Sequence, residues 1–357
     1  MRLALDAMGG DDAPRAMVQG AFDYCSAHPE QSVILVGRDA DIRAVIIKDF
    51  HGVIPSNIVI EHAPEVIGMS EKLKALKERP NDSMNRCAQL MKAGKADAMI
   101  LCGNTGCSVG AAQLHLRRIP GVKRAGILVP MPNPKGHTWV CDMGANAECR
   151  PEHLAQFAEM TSAFLESVYG KLRPRVGVLS IGEEDDKGVA LTQETLDLLR
   201  KTDLNLVGNI EGHDIFTGDL DIAVCDGFTG NVVLKAAEGV FDAMITILKE
   251  EIKGSVRNTL GAAIMRPAFK ALKRRAHWSE VGGCPLIGVD GVTIIGHGRS
   301  DRTAVFNALK QASRCVDGKF VERLRAHFKM AQAAPAAAPA TAAASATVAA
   351  SADPISA

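Results

Sequence analysis

Residues 102–107 read C-G-N-T-G-C and residues 225–231 read C-D-G-F-T-G-N. Each follows a short apolar run and opens a stretch of small and apolar residues. Glycine permits a sharp turn with its amides facing outward. A helix starting at such a turn adds unpaired N–H groups and a partial positive charge, which suit an anion. Four further apolar runs end similarly, in A-M-G-G-D-D-A-P (7–14), M-G-A-N-A-E (143–148), E-E-D-D-K-G (183–188) and H-G-R-S-D (297–301). Taken singly, each is also what a tight strand-to-helix corner needs, with glycine for sterics and Asn, Asp or Thr for capping. Six together point to one polar, anion-binding cleft.

Other chemistries lack their signatures. The chain has neither a P-loop nor a G-x-G-x-x-G fingerprint. Its ten histidines form no cluster at zinc-ligand spacing, so no metal and no cofactor is expected. Cys102, Cys107, Cys141 and Cys225 sit at or beside the corners. Three of them end buried-looking strands, where a thiol behaves as a small hydrophobe, so packing is favoured over nucleophilic catalysis. Nine cysteines without a C-x-x-C pair read as a reduced, cytosolic protein. Net charge is zero and only 4% of residues are aromatic, which argues against nucleic-acid binding.

The elements that must hold the corners follow from hydrophobic pattern. Val- and Ile-rich runs without polar alternation fall at 3–6, 33–37, 57–62, 98–102, 125–130, 138–143, 175–182, 204–208, 221–226 and 292–298. Such runs suit parallel strands covered on both faces. Between many of them lie 10–25 residues of helical period, as at 151–170 and 188–202. The alternation predicts an α/β fold with a doubly wound, mostly parallel sheet in two lobes. Ligands then bind at the carboxyl ends of the strands, where all six corners lie. Residues 1–330 are expected to form this unit, and the Ala- and Pro-rich stretch 331–357 a disordered tail. The N-terminal apolar run is too short for a signal peptide, and no run is long enough for a transmembrane helix.

The segment 253–278 has a different pattern. On a helical wheel Leu260, Ile264, Met265, Phe269 and Leu272 share one half, while Arg266, Lys270, Lys273 and Arg274 fall opposite. Arg275 is an exception, and Pro267 is expected to bend the segment into two short helices. A basic helix with one apolar face reads either as a membrane-surface element or as a packing helix.

In this order, L-A-L-D-A-M-G-G-D, C-G-N-T-G, D-M-G-A-N, I-G-E-E-D-D-K-G, C-D-G-F-T-G-N-V-V-L-K and H-G (297–298) resemble the bacterial fatty acyl-acyl carrier protein:phosphate acyltransferases, the PlsX family. The resemblance covers residues 1–325. It implies transfer of a fatty acyl group from acyl carrier protein to inorganic phosphate, without a cofactor. The acyl phosphate would feed a membrane glycerol-3-phosphate acyltransferase in phospholipid synthesis. It further implies an isocitrate/isopropylmalate dehydrogenase-like fold, a homodimer, and a cytoplasmic protein attached peripherally to an anionic membrane surface. One stretch departs from the family pattern: Glu78 and Pro80 interrupt a basic run formed by Lys72, Lys74, Lys77 and Arg79. These four cations either meet the acidic carrier protein or form a solvated helix face.

The residue types suit that reaction. Phosphate, with a second pKa near about 6, is already a nucleophile at neutral pH. A thiol of pKa about 8.5 leaves readily as thiolate. The site must bind a dianion, aim it at a thioester carbonyl and stabilise the developing oxyanion, which is work for positioned N–H donors. With the resemblance, Asn104, Thr105, Asp142, Asn146, Lys187 and His297 are the expected catalytic residues. Gly9, Gly10, Asp11, Gly103, Gly106, Gly144, Asp226, Gly227, Thr229, Gly230, Asn231 and Lys235 are the expected phosphate- or substrate-binding residues. Lys235 is alternatively an ordinary helix residue, and His297 alternatively a partner of its own loop. Two other classes compete: a dehydrogenase, which needs nucleotide-binding residues absent here, and a non-catalytic membrane-associated binding protein, which would not keep six intact corners.

Overall fold

The computed structural model describes residues 1–276 and 282–333. Its strands are β1 (Arg2–Asp6), β2 (Ser32–Gly37), β3 (Ile58–His62), β4 (Ala98–Cys102), β5 (Gly126–Ile127), β6 (Val129–Asn133), β7 (Gly136–Cys141), β8 (Arg175–Leu179), β9 (Asn205–Ile210), β10 (Ile222–Val224), β11 (Cys284–Ile287) and β12 (Val292–Gly296). Its helices are α1 (Arg15–Ala27), α2 (Asp39–Phe50), α3 (Ala75–Glu78), α4 (Ser83–Lys92), α5 (Thr105–His115), α6 (Pro151–Tyr169), α7 (Ala190–Leu199), α8 (Gly227–Lys253), α9 (Val256–Ile264), α10 (Arg266–Ala276), α11 (Arg302–Asp317) and α12 (Phe320–Ala333).

The strands form two sheets, ordered β3-β2-β1-β4-β12-β11-β5 and β6-β7-β10-β8-β9. Pairing is parallel except at β11, β5 and β6, so the expected doubly wound, mostly parallel architecture is what the chain adopts. Strands β4 and β12 are buried along their whole length, which accounts for their uninterrupted apolar sequence. The outer strands β3 and β9 are partly exposed and carry Glu61, His62 and Asn205, polar residues that blunt a sheet edge. Alternate residues face two cores: Leu3 and Leu5 lie in one, Ala4 in the other. Each core draws residues from both sheets. A fully buried leucine such as Leu5 contributes about 1.5–3 kcal/mol by leaving water.

Three local differences from the sequence reading have simple causes. The run at 125–130 is split between β5, in the first sheet, and β6, in the second, so it is a crossing between sheets rather than one strand. Strand β11 has no matching apolar run, because Pro285 interrupts it. Helix α12 continues to Ala333, three residues past the expected start of the tail, since alanine favours helix. The rest of that tail, from 334, and residues 277–278 of the amphipathic segment lie outside the described residues. The helix break expected at Pro267 falls between α9 and α10, with the proline in the first turn of α10, where its missing N–H costs nothing.

Candidate functional site

Sheet order gathers the six corners into two triplets. Strands β1, β4 and β12 are neighbours, and so are β7, β10 and β8. Their registers are level: Cys102 pairs with Gly296, and Val224 with both Cys141 and Val178. Each sheet therefore presents three adjacent turns along one carboxyl edge.

In the first triplet the backbones touch. A Cβ on Gly9 would overlap the Cys102 carbonyl oxygen, and Gly103 lies against Gly9. Gly10 takes φ 95°, and the N–H of Asp11 donates to Gly298 O at 2.8 Å, joining the corners after β1 and β12. Asn104 caps α5: its Oδ1 accepts from Cys107 N–H at 3.0 Å. Its Nδ2 donates to Met69 O (2.9 Å) and Glu71 O (2.7 Å), which ties the 69–71 segment to the corner. Both N–H donors of that amide are spent on the protein. Thr105 and Gly106 are exposed in the first turn of α5, and their N–H groups have no acceptor among the described residues.

The second triplet is built around Asp142, which is fully buried. Its Oδ1 accepts from the N–H groups of Ile127 (3.0 Å), Gly144 (3.2 Å) and Ala145 (3.0 Å). Its Oδ2 accepts from Asn146 N–H (2.7 Å) and Asn146 Nδ2 (2.9 Å). Burial pushes this carboxyl above its ordinary range, against the pull of those donors. Asn146 Nδ2 also donates to Ala125 O at 2.7 Å. Asp226 caps α8, accepting from Thr229 N–H (2.9 Å) and Thr229 Oγ1 (2.7 Å). Gly227 and Gly230 are glycines because a Cβ would strike the backbone of Asn146 and of Asp142. Gly144 has φ 126° and lies beside the exposed Asn231.

The two triplets meet electrically at His297. Its Nδ1 accepts from Arg299 N–H at 3.1 Å, which places the ring proton on Nε2. Burial lowers its pKa below the usual histidine value, helped by Lys235. Glu238 and Asp11 act in the other direction. Lys235 is exposed and pairs with Glu238 at 2.8 Å. His297 and Arg299 also line a groove of about 670 Å³. Its walls are apolar: Met131 of β6, Ala237, Phe241 and Met244 of α8, Cys284 of β11 and Ile295 of β12. That volume lies within the usual range of about 300–1,000 Å³ for small-molecule sites.

Lys187 is exposed in the loop after β8, which Asn209 Nδ2 pins through Glu184 O at 2.7 Å. Of the basic run, Lys74 pairs with Glu78 (3.5 Å) and Arg79 with Glu71 (2.7 Å), while Lys72 and Lys77 are exposed. Leu260, Ile264, Met265 and Leu272 are exposed and Phe269 half-buried. Among the described residues none of α9 is buried, and no helix is long and apolar enough to cross a membrane. All nine cysteines are free. Burial pushes Cys102 to about 12 and raises Cys107, Cys141 and Cys225, so these thiols are poor nucleophiles. No metal-binding cluster occurs among the described residues.

Two features escape a reading by motif. The apolar groove lies between α8 on one side and β6, β11 and β12 on the other, and its signal is the apolar, small-residue run N-V-V-L-K-A-A-E-G-V-F (231–241). Residues 106–110, G-C-S-V-G, match the spacing of a nucleophile elbow. Ser108, however, lies inside the first turns of α5, fully buried, rather than exposed at the turn.

A family model described as "Fatty acid synthesis protein" matches residues 1–323. The chain is 43% identical over 326 residues to a phosphate acyltransferase of Pelotomaculum thermopropionicum, covering 91% of this chain and 94% of that one. It is 44% identical over 323 residues to one of Myxococcus xanthus, covering 89% and 91%. With one of Thermus thermophilus it shares 43% over 326 residues, covering 91% and 98%. In fold it resembles a phosphotransacetylase from Streptococcus pyogenes, with TM-score 0.61, 14% identity and coverage of 90% and 94%. The EutD phosphotransacetylase from Staphylococcus aureus gives TM-score 0.56 at 17% identity, with coverage of 88% and 94%.

Proposed function

The chain belongs to the phosphate acyltransferases of the fatty acid synthesis protein family, and from that premise we propose that it moves a fatty acyl group from acyl-acyl carrier protein to inorganic phosphate. Phosphate oxygen attacks the thioester carbonyl, a C–O bond forms, the C–S bond breaks, and the carrier thiolate leaves. The acyl phosphate would serve phospholipid synthesis through a membrane glycerol-3-phosphate acyltransferase. The observation that carries the long acyl group is the apolar groove whose lining includes His297.

Within this reading the N–H groups of Thr105 and Gly106 at the start of α5 cradle phosphate. Lys187 balances its charge. His297 donates from Nε2 to the carbonyl oxygen or the leaving sulfur. Thr229, Asn231 and Lys235 line the opposite side. Asn104, Asp142 and Asn146 act as positioning residues, because their polar atoms hold the turns. The test mixes purified protein, long-chain acyl-acyl carrier protein and phosphate, and follows free carrier thiol. Release that is absent, or that ignores phosphate, would sink the proposal. Lys187→Ala is expected to lower kcat/KM with the fold intact, and full activity would remove Lys187 from the site.

The carrier is proposed to dock near Lys72, Lys74, Lys77 and Arg79, a segment that Asn104 ties to the first triplet. A homodimer is supported by α8, which exposes Val232, Val240, Met244 and Ile247. Peripheral membrane attachment is supported by Leu260, Ile264 and Met265, exposed beside Arg257, Arg266 and Lys270. A monomer by analytical ultracentrifugation would reject the homodimer, the first of these last two readings. Equal sedimentation of wild type and a Leu260→Glu/Phe269→Glu variant with anionic vesicles would reject the second.

A further inference from the structure

We propose that the concave surface between the 118–124 loop and the N-terminal turn of α6 is a second anion site, built for a small phosphate monoester. It is an open recess of about 660 Å³ lined by Arg118, Lys123, Arg124, Arg150, Glu152 and His153. Four cations face one carboxylate, and that carboxylate is taken by Lys123 at 3.3 Å. Among the described residues no carboxylate lies within ion-pair distance of Arg118, Arg124 or Arg150. Guanidinium groups match phosphate oxygens in pairs, and three on one concave wall leave an anion-shaped gap in the charge distribution.

His153 supplies an independent pointer. It is only 8% exposed, yet it lines the cavity. Its Nδ1 accepts from Arg150 N–H at 3.1 Å, so its proton sits on Nε2. Among the described residues Nε2 has no hydrogen-bond partner. Burial, with Arg124 adding to it, holds this imidazole below the ordinary histidine pKa and therefore neutral. The ring is largely buried and offers its Nε2–H to an acceptor at the cavity wall, beside the cations. The start of the 19-residue helix α6 adds its own partial positive charge.

The surface is also preorganised. Gln156 of α6 clamps the loop, its Oε1 accepting from Lys123 N–H (2.8 Å) and its Nε2 donating to Gly121 O (2.9 Å). Ile119 N–H donates to Gly288 O (3.0 Å), and Asn146 Nδ2 holds Ala125 O. A ligand there orders little that is not already ordered. No Phe, Tyr or Trp ring lines the cavity, which disfavours a nucleotide base and favours a small polar ester. The site shares no lining residue with the apolar groove. Its Val122 also belongs to the core that holds Leu5, whereas the groove walls Val129, Met131 and Ile295 belong to the other.

The probe is glycerol 2-phosphate, titrated calorimetrically into the full chain, with glycerol as control. Saturable one-site binding is expected, weakened about tenfold in Arg124→Gln/Arg150→Gln, with acyl transfer in the absence of probe unchanged. The His153 ring protons should shift on saturation by NMR. Should the double variant fail to fold, Lys123→Gln, at the exposed rim, is expected to weaken binding about threefold. Inorganic phosphate competing with the same sensitivity to these variants supports the site and names free phosphate as an occupant. Equal affinity in wild type and variants, or no saturable binding, overturns the proposal. So does loss of carrier-protein binding in the double variant when glycerol 2-phosphate never binds.

Discussion

Asn146 donates twice to the same oxygen of Asp142, through its backbone N–H at 2.7 Å and its Nδ2 at 2.9 Å. With three further N–H groups on the other oxygen, one buried carboxylate organises the whole corner after β7 and the crossing into β5. Such a pair acts through architecture. Asp142→Ala would take the shared acceptor from five N–H donors, of which the buried one at Ile127 costs about 1–3 kcal/mol when left unpaired in the interior. A lowered denaturant midpoint or insoluble protein is therefore expected, by chemical denaturation. An Asp142→Ala protein of unchanged midpoint that has lost only kcat would show instead that the carboxylate works on the substrate.

Asn104 allows cap and clamp to be separated. Asn104→Asp retains an oxygen for Cys107 N–H but cannot donate to Met69 O or Glu71 O. The cap is worth about 1 kcal/mol, so Asn104→Ala, which loses cap and clamp together, should be less stable by about that amount than Asn104→Asp, which loses the clamp alone. Both should show reduced turnover if the 69–71 segment must stay against the corner. Wild-type kcat/KM in Asn104→Asp would show that the clamp does not matter to the reaction.

The groove along α8 sets an expectation for chain length. Ala237 lines it beside Phe241 and Met244. Ala237→Phe should fill the space and lower kcat/KM for long acyl donors by about tenfold, the scale of one or two lost methylene contacts in an apolar pocket. Short acyl donors should be affected little. A uniform loss across chain lengths would place the acyl chain elsewhere.

Asp6 lies fully buried at the end of β1, with Oδ1 accepting from Met8 N–H at 3.0 Å and Oδ2 unpaired. Burial raises its pKa from 3.8 to about 6. The folded chain then holds this proton more tightly than the unfolded chain. Its contribution to stability is full below about pH 4, falls as pH rises, and is gone above about pH 6. The span corresponds to about 3 kcal/mol. Asp6→Asn should remove this slope, so the stability difference between variant and wild type changes across that window in urea titrations. Parallel curves would show that Asp6 has the same pKa in the folded and unfolded chain.

Much of the fold was legible because it rests on local pattern. Val- and Ile-rich runs marked most strands within a few residues, and level parallel strands put every corner at a carboxyl edge. The exceptions were places where pattern is silent. Strand β11 is short and carries a proline, and the 125–130 run serves two sheets at once. The glycines of the corners were also legible, but not their reasons. Gly9 and Gly230 are required by a neighbouring strand's carbonyl, which no local spacing reveals.

The sequence alone determined the α/β class, the six corners in their order, and the resemblance those corners carry. Tertiary structure decided which corners adjoin and which side chains remain for a ligand. A polar side chain bonds to whichever partner is nearest, ligand or protein, and only the folded backbone shows which N–H groups have come within reach. Asn104, Asp142 and Asn146 are thereby committed to the turns. The basic wall formed by Arg118, Arg124 and Arg150 exists for the same reason in reverse. Residues some 30 positions apart converge there because Gln156 draws the loop onto α6, and the one carboxylate that comes with them, Glu152, is paired with Lys123.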